Sequence, residues 1–397
     1  MNALMLATLL FWVSAVLVLY AYVLYPIAIW ALARGFGRVA DPAEVPDEEL
    51  PSMSLLIAAL NEEAVIEERI RNALALDYPR EKLEIVIGSD GSTDATARLV
   101  RRFADRGVRL IDYPVRRGKA SVLNESIPTL SGEIVLFSDA NTEFDPRAAR
   151  RLARWFRDPA VGAAVGRLEL VDSETGRNAD GLYWRYETFL KNQEAALGGL
   201  LGANGAIYAL RKDLYVPIPG DTIIDDFVVP LLAKVHHGCE LVYDRSASAV
   251  EETAPDIASE FRRRARIGAG GFQSIGLLWR LLDPGRGWTA FTFLSHKLLR
   301  WFCPFFLMAM LSASLVMVLL HDWVGAYLLG AQVLFYLVAL SAGDLSRTLG
   351  RTRPVRLMKM FTEMNLALLV GFGRWATGSQ AAAWSRTVRT VELEVAR

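Results

Sequence analysis

Cysteine is nearly absent from this chain, and so is any net charge. The 397 residues include only two cysteines, Cys239 and Cys303, which are too few and too scattered for a disulfide framework or a zinc site. We therefore predict free thiols in a reducing compartment. Acidic and basic side chains number 44 each. Nucleic acid is not expected as a partner, because binding its phosphates requires a basic face.

Charged side chains are also missing from the first part of the chain, residues 1–33, which is almost wholly apolar. A membrane-spanning helix needs about 20 apolar residues, so this segment is long enough to cross a bilayer with some tilt. A cleaved signal peptide would carry positive charge before a shorter apolar run. Here the first charges, Arg34 and Arg38, follow the run. We therefore predict an uncleaved anchor with the N-terminus outside and the next domain in the cytoplasm.

Long apolar runs occur again only near the carboxyl end of the sequence. Two candidate spans, near 301–320 and 323–342, are separated by the polar pair His321 and Asp322, as expected for a helical hairpin. Residues 361–375 are also apolar but are interrupted by polar and charged side chains. They are compatible with a further span or with an interfacial helix, and the interfacial helix is slightly favoured.

The segment between the second candidate span and residue 361 is rich in basic residues: Arg347, Arg351, Arg353, Arg356 and Lys359. Such a basic loop is typical of the cytoplasmic side, which agrees with the orientation of the first segment. The predicted organisation is a membrane anchor (1–33), a cytoplasmic domain (50–285), interfacial and transmembrane helices (286–375) and a basic tail (376–397). This organisation predicts a multi-pass membrane protein that has membrane lipids among its partners.

The segment 50–285 has ordinary charge density. Short apolar runs typical of buried strands alternate in it with amphipathic stretches typical of helices. Short apolar runs predict strands at 53–59, 82–88, 108–112 and 133–138. Amphipathic helices are predicted between them, beginning at 61–63, 89–94 and 117–119. This alternation predicts an α/β domain with a parallel, doubly wound sheet. Such sheets bind ligands at the carboxyl ends of their strands.

Polar side chains follow these strands where a ligand is expected. Glu62 and Asp90 could accept hydrogen bonds from a nucleobase or ribose, although Asp90 could instead cap a helix. Lys119 stands beside a glycine at a helix start, a position suited to phosphate oxygens, although a solvated lysine is an equal alternative. Asp139 ends another strand and, with the amide oxygen of Asn141, could hold Mg²⁺ or Mn²⁺ against a departing diphosphate.

Paired carboxylates occur further along, where residues 222–230 read TIIDDFVVP. Two adjacent carboxylates beside apolar residues suggest one group that stays charged and one whose pKa is raised. A carboxylate of the second kind suits a general base that deprotonates an acceptor hydroxyl. Asp225 and Asp226 are the candidates. A helix N-cap with an acidic neighbour is the alternative interpretation of the same pair.

In this order the polar clusters resemble those of family 2 glycosyltransferases of the GT-A fold, in the cellulose-synthase-like membrane branch. The motifs that carry the resemblance are AALNEE (58–63), SDGSTD (89–94), RGKASVLN (117–124), FSDANT (137–142), GANGAIYALR (202–211) and IDDF (224–227). The resemblance covers roughly residues 50–285. It implies a Rossmann-like mixed sheet joined to α-helical transmembrane segments, and an inverting transfer from a nucleotide-diphosphate sugar, with a UDP-sugar the expected donor.

The resemblance also implies roles for individual residues. The nucleoside pocket would be lined by Ala58, Leu60, Glu62 and Asp90, with Lys119 near the diphosphate. Asp139 would be the first carboxylate of the metal motif, Asp226 the general base, and Asp225 the acidic residue before it. The acceptor or its phosphate would be met by Gly202, Asn204, Gly205, Trp184 and Arg264. Trp184 is a candidate from its residue type alone: it belongs to an aromatic group with Tyr183 and Tyr186 whose faces could stack on sugar rings but could equally be core or interface residues.

Three departures from the family pattern bear on function. Ala58 and Leu60 replace the usual proline and tyrosine, a mild change to nucleoside packing. Asn141 replaces the second carboxylate of the metal motif. The segment FRRRA (261–265) keeps Arg264 of the Gln-x-x-Arg-Trp motif of processive synthases but has Ala265 in place of the tryptophan. That loss argues against processive polymerisation. The arginines of this segment could meet donor phosphates or anionic lipid headgroups.

The resemblance places the expected activity in envelope or exopolysaccharide synthesis at the bacterial inner membrane. The acceptor would be a lipid-linked or growing glycan, and polysaccharide-export proteins are candidate partners. A processive synthase that extrudes its own polymer is one alternative. An inactive GT-A module that serves in binding or assembly is another, which Asn141 and the altered FRRRA segment keep open. A transporter is disfavoured because the apolar segments carry few charges.

Overall fold

The computed structural model describes residues 2–38, 41–171, 181–252, 257–341 and 352–381. The chain divides into two compact units. An α/β unit comprises Ile29–Pro255, Ser274–Phe293 and Ala381–Arg397, and a helical unit comprises Met1–Ala28, Asp256–Gln273 and Leu294–Gln380.

The α/β unit is built on a mixed, eight-stranded sheet. Its strands are β1 (Met53–Ala59), β2 (Leu83–Asp90), β3 (Val108–Tyr113), β4 (Ile134–Asp139), β5 (Glu143–Phe144), β6 (Val161–Val171), β7 (Tyr208–Arg211) and β8 (Glu240–Glu252). The strand order is β3-β2-β1-β4-β7-β6-β8-β5. The first four strands are mutually parallel, as predicted. β7 is antiparallel to both β4 and β6, which makes the whole sheet mixed, as the resemblance implied.

The α-helices alternate with these strands and then dominate the ends of the chain. They are α1 (Ala3–Leu19), α2 (Tyr25–Phe36), α3 (Ile66–Leu74), α4 (Thr96–Arg101), α5 (Lys119–Ser126), α6 (Ala148–Ala153), α7 (Leu182–Ala196), α8 (Asp225–His237), α9 (Ile257–Leu278), α10 (Trp288–Thr292), α11 (Leu299–Leu319), α12 (Trp323–Leu340) and α13 (Arg353–Ala376). A π-helical segment, Tyr20–Leu24, joins α1 to α2.

The core of the α/β unit lies along the parallel strands. β1 is buried at all 7 of its positions, which is typical of a central parallel strand covered on both faces. On α3, Ile66 and Ile70 belong to the same buried cluster as Leu55 and Ile57 of β1. Complete burial of a side chain of this size contributes about 1.5–3 kcal/mol. The packing fixes β1 and therefore the position of the residues that follow it.

Two predicted helices begin later than the sequence indicated. The first was expected from Asn61 but begins at Ile66, and the second was expected from 89–94 but begins at Thr96. The reason is that both loops turn sharply first: Asn61 has a φ of 54° and Gly91 a φ of 66°, which are not helical values. Strand β2 extends through Asp90, so Ser89 and Asp90 are strand residues.

The helical unit contains the predicted hairpin. α11 and α12 are joined at Leu320–Asp322, and the Asp322 carboxylate caps α12 by accepting a hydrogen bond from the Gly325 amide at 3.1 Å. Within the hairpin, the Gln332 side-chain amide donates to the Ser314 hydroxyl at 3.0 Å. A polar pair of this kind satisfies hydrogen-bonding groups that lipid cannot.

Three helical stretches of the described chain are long and apolar enough to span a membrane: Ala3–Phe36, Trp288–Leu319 and Trp323–Leu340. Their large apolar side chains face outward; Trp12 is 52% exposed and Leu337 is 60% exposed. Such a surface is unfavourable in water and favourable in lipid. These features support a membrane location. α13 falls outside this group, so both interpretations of residues 361–375 stand.

The basic segment after the second candidate span is partly helical, which corrects the prediction of a loop. α13 begins at Arg353, so Arg353, Arg356 and Lys359 lie in its first two turns. Pro354 is compatible with that start because the first helical amides have no partner within the helix. Arg347 and Arg351 lie outside the described residues, as does most of the tail at 376–397. Both cysteines are free, as predicted, and both are buried.

Candidate active site

The carboxyl ends of the parallel strands bring three of the predicted site residues to one edge of the sheet. Ala58 lies beside Gly88 of β2 on one side and beside Asp139 of β4 on the other. Asp90 ends β2, and Asp139 ends β4. The AALNEE, SDGSTD and FSDANT motifs are therefore adjacent in space.

The loops after β1 and β2 are fastened to each other. The Asn61 side-chain oxygen accepts a hydrogen bond from the Thr93 amide at 2.8 Å, and the Glu62 amide donates to the Thr96 hydroxyl at 2.8 Å. Asp94 accepts a hydrogen bond from the Thr96 amide at 2.9 Å, at the start of α4. Two of the sequence motifs thus form a single rigid wall of the site.

Asp90 is completely buried and ties β2 to the start of α5. One of its carboxylate oxygens accepts from the Arg117 amide at 2.7 Å and the other from the Gly118 amide at 2.8 Å. Gly118 has a φ of 90°, a conformation that favours glycine. Asp90 therefore positions the turn that delivers Lys119, rather than capping the helix after its own strand. Its contact with a nucleoside stays a prediction.

The centre of the site is a cluster of three carboxylates around one ammonium group. The Lys119 Nζ lies 2.7 Å from an oxygen of Asp139 and 3.2 Å from an oxygen of Asp225. Asp226 accepts a hydrogen bond from the Gly205 amide at 3.0 Å. The sequence separated these groups by up to about a hundred residues, and the fold joins them.

Gly205 is the residue that allows two of these carboxylates to approach each other. A Cβ atom added there would lie 3.2 Å from an Asp139 oxygen and 3.6 Å from an Asp226 oxygen. The two carboxylates therefore face a small concave space that any larger residue would fill. This approach, and not its backbone angles, favours glycine at position 205.

Burial and the neighbouring charges shift the pKa values of Asp226 and Lys119. Burial, and then the negative charge of Asp225, raise the pKa of Asp226, while Lys119 opposes the shift. Burial disfavours the charged form of Lys119, but the carboxylates of Asp139 and Asp225 outweigh it and raise the pKa of the ammonium. The lysine therefore stays charged, and Asp226 is a stronger base than an ordinary aspartate.

The Gly202–Gly205 segment is anchored to the start of α8. The Ala203 amide donates to the Asp226 carbonyl at 3.0 Å. Gly202 has a φ of 72° and packs so closely on Phe227 that a Cβ would lie 2.6 Å from the ring. Asn204 accepts from Lys191 and donates to the Gly166 carbonyl at 3.4 Å. The segment predicted to shape the acceptor site thus lies directly beside the candidate base.

The remaining predicted residues have different surroundings. Leu60 and Glu62 are nearly buried in the wall formed by the first two loops. Trp184 is half-buried on α7. Arg264 belongs to α9 in the helical unit, where its guanidinium donates to Glu260 at 2.7 Å. The roles assigned to these residues stay predictions.

Sequence reasoning missed two residues that hold the turn after β4. The buried guanidinium of Arg69 donates to the Ser138 hydroxyl at 3.1 Å and to the Asn72 side chain at 2.8 Å. Asn72 in turn pairs with both the amide and the carbonyl of Phe144, at 3.0 and 2.9 Å. Both ends of the turn that carries Asp139 are therefore fixed by α3. The available signal was that Arg69 shares the buried face of α3 with Ile66 and Ile70.

Tyr208 is a third residue that was not singled out. Its ring stacks on Phe137 at a centroid distance of 4.3 Å, and its hydroxyl is buried. Burial, followed by the charges of Asp225 and Asp226, raises the pKa of this hydroxyl. The Tyr208 hydroxyl therefore stays uncharged near the carboxylates of Asp225 and Asp226.

The chemistry of the cluster fits a hard divalent cation. Asp139 and Asp225 offer carboxylate oxygens, which Mg²⁺ and Mn²⁺ prefer, and Gly205 leaves space between Asp139 and Asp226. The buried Asp225 oxygen that lies 3.2 Å from the Lys119 ammonium forms an ion pair with it but no hydrogen bond. Within the described chain no group of three or more His, Cys, Asp or Glu side chains is arranged around a shared metal position. Asn141 is exposed in the turn after β4, so its part in binding a metal stays a prediction.

The mixed sheet, with an aspartate ending β4 beside an acidic pair at the start of α8, defines a GT-A fold. Residues 54–215 match the family model of Glycosyl transferase family 2. Two similar curated proteins are the poly-beta-1,6-N-acetyl-D-glucosamine synthases of Staphylococcus aureus (strain COL), 29% identical, and Staphylococcus epidermidis, 27% identical. Each alignment covers 57% of this chain and 56% of the relative. The chain therefore spans about half of the length of the curated relatives that it matches.

A solved structure supports the fold over nearly the whole chain. A mannosyltransferase from Pyrobaculum calidifontis, determined in complex with GDP-Man and Mn2+, superposes with a TM-score of 0.68 at 21% identity. The superposition covers 96% of this chain and 100% of that one. At this level of identity the likeness shows the fold alone.

Proposed function

We propose that this chain is an inverting glycosyltransferase that moves a sugar from a nucleotide-diphosphate sugar to a lipid-linked or growing glycan. The observation that carries the proposal is the position of Asp226. It lies at the start of α8, held by the Gly205 amide at 3.0 Å, and a Cβ atom at the same glycine would lie close to the carboxylates of both Asp226 and Asp139. A single-displacement transfer requires a base and a group that stabilises the departing diphosphate on either side of one sugar-binding space, and a carboxylate that holds a divalent cation could serve as the second.

In the proposed reaction an acceptor hydroxyl loses its proton to Asp226 as its oxygen bonds to the anomeric carbon. The bond from that carbon to the nucleoside diphosphate breaks, and the electron pair leaves with the diphosphate. Lys119 provides positive charge for the departing oxygens. A divalent cation held by Asp139 and Asp225 would neutralise the same charge when bound. Asp226 keeps the proton until the product leaves.

We also propose which membrane the protein occupies and on which side of it the α/β unit lies. We place the α/β unit on the cytoplasmic side of a bacterial inner membrane, in a multi-pass protein. The positive charges of Arg34 and Arg38 after the first apolar segment, and of Arg353 and Arg356 after the hairpin, support this orientation. Protease added to inside-out vesicles should cleave the α/β unit. Protection there, with cleavage in right-side-out vesicles, would reverse the topology.

A processive polysaccharide synthase is the second candidate. The names of the two staphylococcal relatives favour it, because both are polymer synthases. Ala265 disfavours it, because the tryptophan that stacks on an acceptor sugar in such enzymes is absent. Product length distinguishes the two candidates: a single transfer adds one sugar, whereas a synthase gives a ladder.

The experiment that tests the proposal is a donor screen with the purified full chain in detergent or nanodiscs. UDP- and GDP-sugars are each incubated with Mg²⁺ or Mn²⁺, and release of the nucleoside diphosphate is measured with and without added membrane lipid extract. We expect release from one donor, increased by the extract. The absence of release from every donor, together with no nucleotide binding, would support an inactive binding module instead.

Replacing Arg69 with methionine is expected to lower kcat by about tenfold to a hundredfold. The substitution removes a charge-assisted hydrogen bond to Ser138, which is worth about 1.5–3 kcal/mol, and frees the turn that positions Asp139. The matched control is Arg71→Met on the same helix, where the side chain is exposed and pairs with Glu67. Arg69→Lys keeps the charge and should recover part of the loss. Equal activity in the Arg69→Met and Arg71→Met proteins would show that the turn does not depend on Arg69.

A further inference from the structure

Lys119 lies where the oxygens suited to a divalent cation converge. Its ammonium group contacts Asp139 at 2.7 Å and Asp225 at 3.2 Å. The side chains of Lys119 and Asp225 are 19% and 13% exposed, so water screens this ion pair only weakly. The lysine is the first residue of α5, and its ammonium has these two carboxylates as its ion-pair partners.

The same two carboxylates offer the oxygens that a divalent cation would use. An ammonium at 2.7 Å from Asp139 occupies one of the two oxygens directly and repels a second cation nearby. A cation could therefore bind fully only if the lysine tip moved away. A lysine side chain has a flexible four-carbon stem, so such a movement does not require α5 to shift.

A diphosphate supplies a reason for the tip to move. Its oxygens carry negative charge that an ammonium can contact, and they also complete the octahedral shell that Mg²⁺ and Mn²⁺ prefer. With nucleotide bound, the lysine can exchange carboxylate partners for phosphate partners while the cation takes the carboxylates. Each negatively charged group then keeps a positively charged neighbour.

We propose that Lys119 is an internal counter-ion that competes with the divalent cation for Asp139 and Asp225, and that a nucleotide diphosphate relieves this competition. The cation and the nucleotide would then bind interdependently, each raising the affinity for the other by the same factor. This inference rests on the proposed function, because it takes a nucleoside diphosphate as the ligand. A purely structural ion pair would behave differently, since its removal would weaken every kind of binding.

The test is Mn²⁺ binding measured by electron paramagnetic resonance on the full chain, with no sugar transfer involved. Wild type, Lys119→Met and Lys119→Gln are titrated with Mn²⁺ alone, with Mn²⁺ and UDP, and with Mn²⁺ and GDP. The control is Lys234→Met, which lies on α8 with Asp225 but outside the cluster and donates to the Gly198 carbonyl. Circular dichroism and the unfolding temperature establish that each variant is folded.

Without nucleotide, we expect both Lys119 variants to bind Mn²⁺ about tenfold or more tightly than wild type, and the Lys234→Met protein to match wild type. Nucleotide should tighten Mn²⁺ binding by about tenfold in wild type and by much less in the Lys119 variants. A gain of affinity cannot come from a damaged fold. Folded Lys119 variants that bind Mn²⁺ no better than wild type would overturn the inference while leaving the proposed function intact. Wild type that binds neither nucleotide would overturn both.

Discussion

Replacing Asp226 with asparagine is expected to lower kcat by about a hundredfold to ten-thousandfold, which is the usual contribution of a general base. Asparagine has nearly the same shape and can still accept the hydrogen bond that the Gly205 amide donates at 3.0 Å. It cannot take a proton from the acceptor hydroxyl. Burial and the adjacent Asp225 raise the pKa of the native carboxylate, which strengthens it as a base, and the amide has no such capacity. The measurement is single-turnover transfer to acceptor with saturating donor.

The matched control for this variant is Asp221→Asn. Asp221 is exposed and lies just before the acidic pair, so its loss should leave kcat nearly unchanged. Nucleotide affinity should also change little in the Asp226→Asn protein, because the proposed role of Asp226 concerns the acceptor. Full transfer activity in Asp226→Asn would remove Asp226 from the mechanism and direct attention to Asp225.

Replacing Asp139 with alanine is expected to have a comparable effect by a different route. Asp139 is the carboxylate that ends β4, and its oxygen is 2.7 Å from the Lys119 ammonium. Without it, the proposed cation loses its first protein ligand, and Lys119 loses a partner. We expect kcat to fall by about a thousandfold, a loss typical of electrostatic stabilisation of a leaving group. Unlike Asp226→Asn, this variant should also lose most metal-dependent nucleotide binding.

Calorimetric titration of UDP or GDP in the presence of Mn²⁺ measures this second effect. Glu143→Gln is the control, since Glu143 is exposed and only four residues along the same turn. It removes one negative charge without removing a proposed ligand. Nucleotide binding and turnover that survive in the Asp139→Ala protein would show that the diphosphate is held elsewhere.

The strands of the parallel half could be predicted closely, because each is a short apolar run bounded by turn residues. The interval predicted for β1, 53–59, is the observed strand, and β4 was displaced by one residue. The helix starts were less accurate. Local periodicity does not show that Asn61 and Thr93 bond across two loops at 2.8 Å, and that bond determines where the chain turns.

The candidate site was predictable as a set of motifs but not as a geometry. Asp139, Asp225 and Asp226 each attracted attention because acidic residues at element ends are chemically useful. Their convergence on Lys119 depends on the whole sheet order, which places β7 and the start of α8 beside β4. No local pattern contains that information. Glycine at 205 could be noted in the sequence, but the reason for it is the approach of two distant carboxylates.

The role of Arg69 could not be predicted from the sequence at all. A single arginine in an amphipathic helix usually faces water, and its neighbour Arg71 does so. Arg69 is only 3% exposed, and burial lowers the pKa of its guanidinium to about 9, while the charges of Asp139 and Glu143 oppose that shift. It is therefore still charged at neutral pH. Only the tertiary structure shows that this charge supports the turn after β4.

The apolar helical stretches could be predicted from the sequence, but the start of α13 could not. The three apolar helical stretches follow directly from residue composition, and the structure contains all of them. The helix that begins at Arg353 was not foreseen, because a cluster of basic residues near a proline resembles a loop. Helix propensity of arginine and lysine is high, and proline is tolerated in the first turn, so the helix is physically reasonable.

The stereochemistry of transfer tests the central claim most directly. With the donor found in the screen, the first product is collected before any second transfer, and its anomeric configuration is determined by proton NMR. A single displacement with Asp226 as the base predicts inversion, so an α-linked donor sugar gives a β-linked product. Retention of configuration would contradict the account, because it requires a different course of substitution at the anomeric carbon.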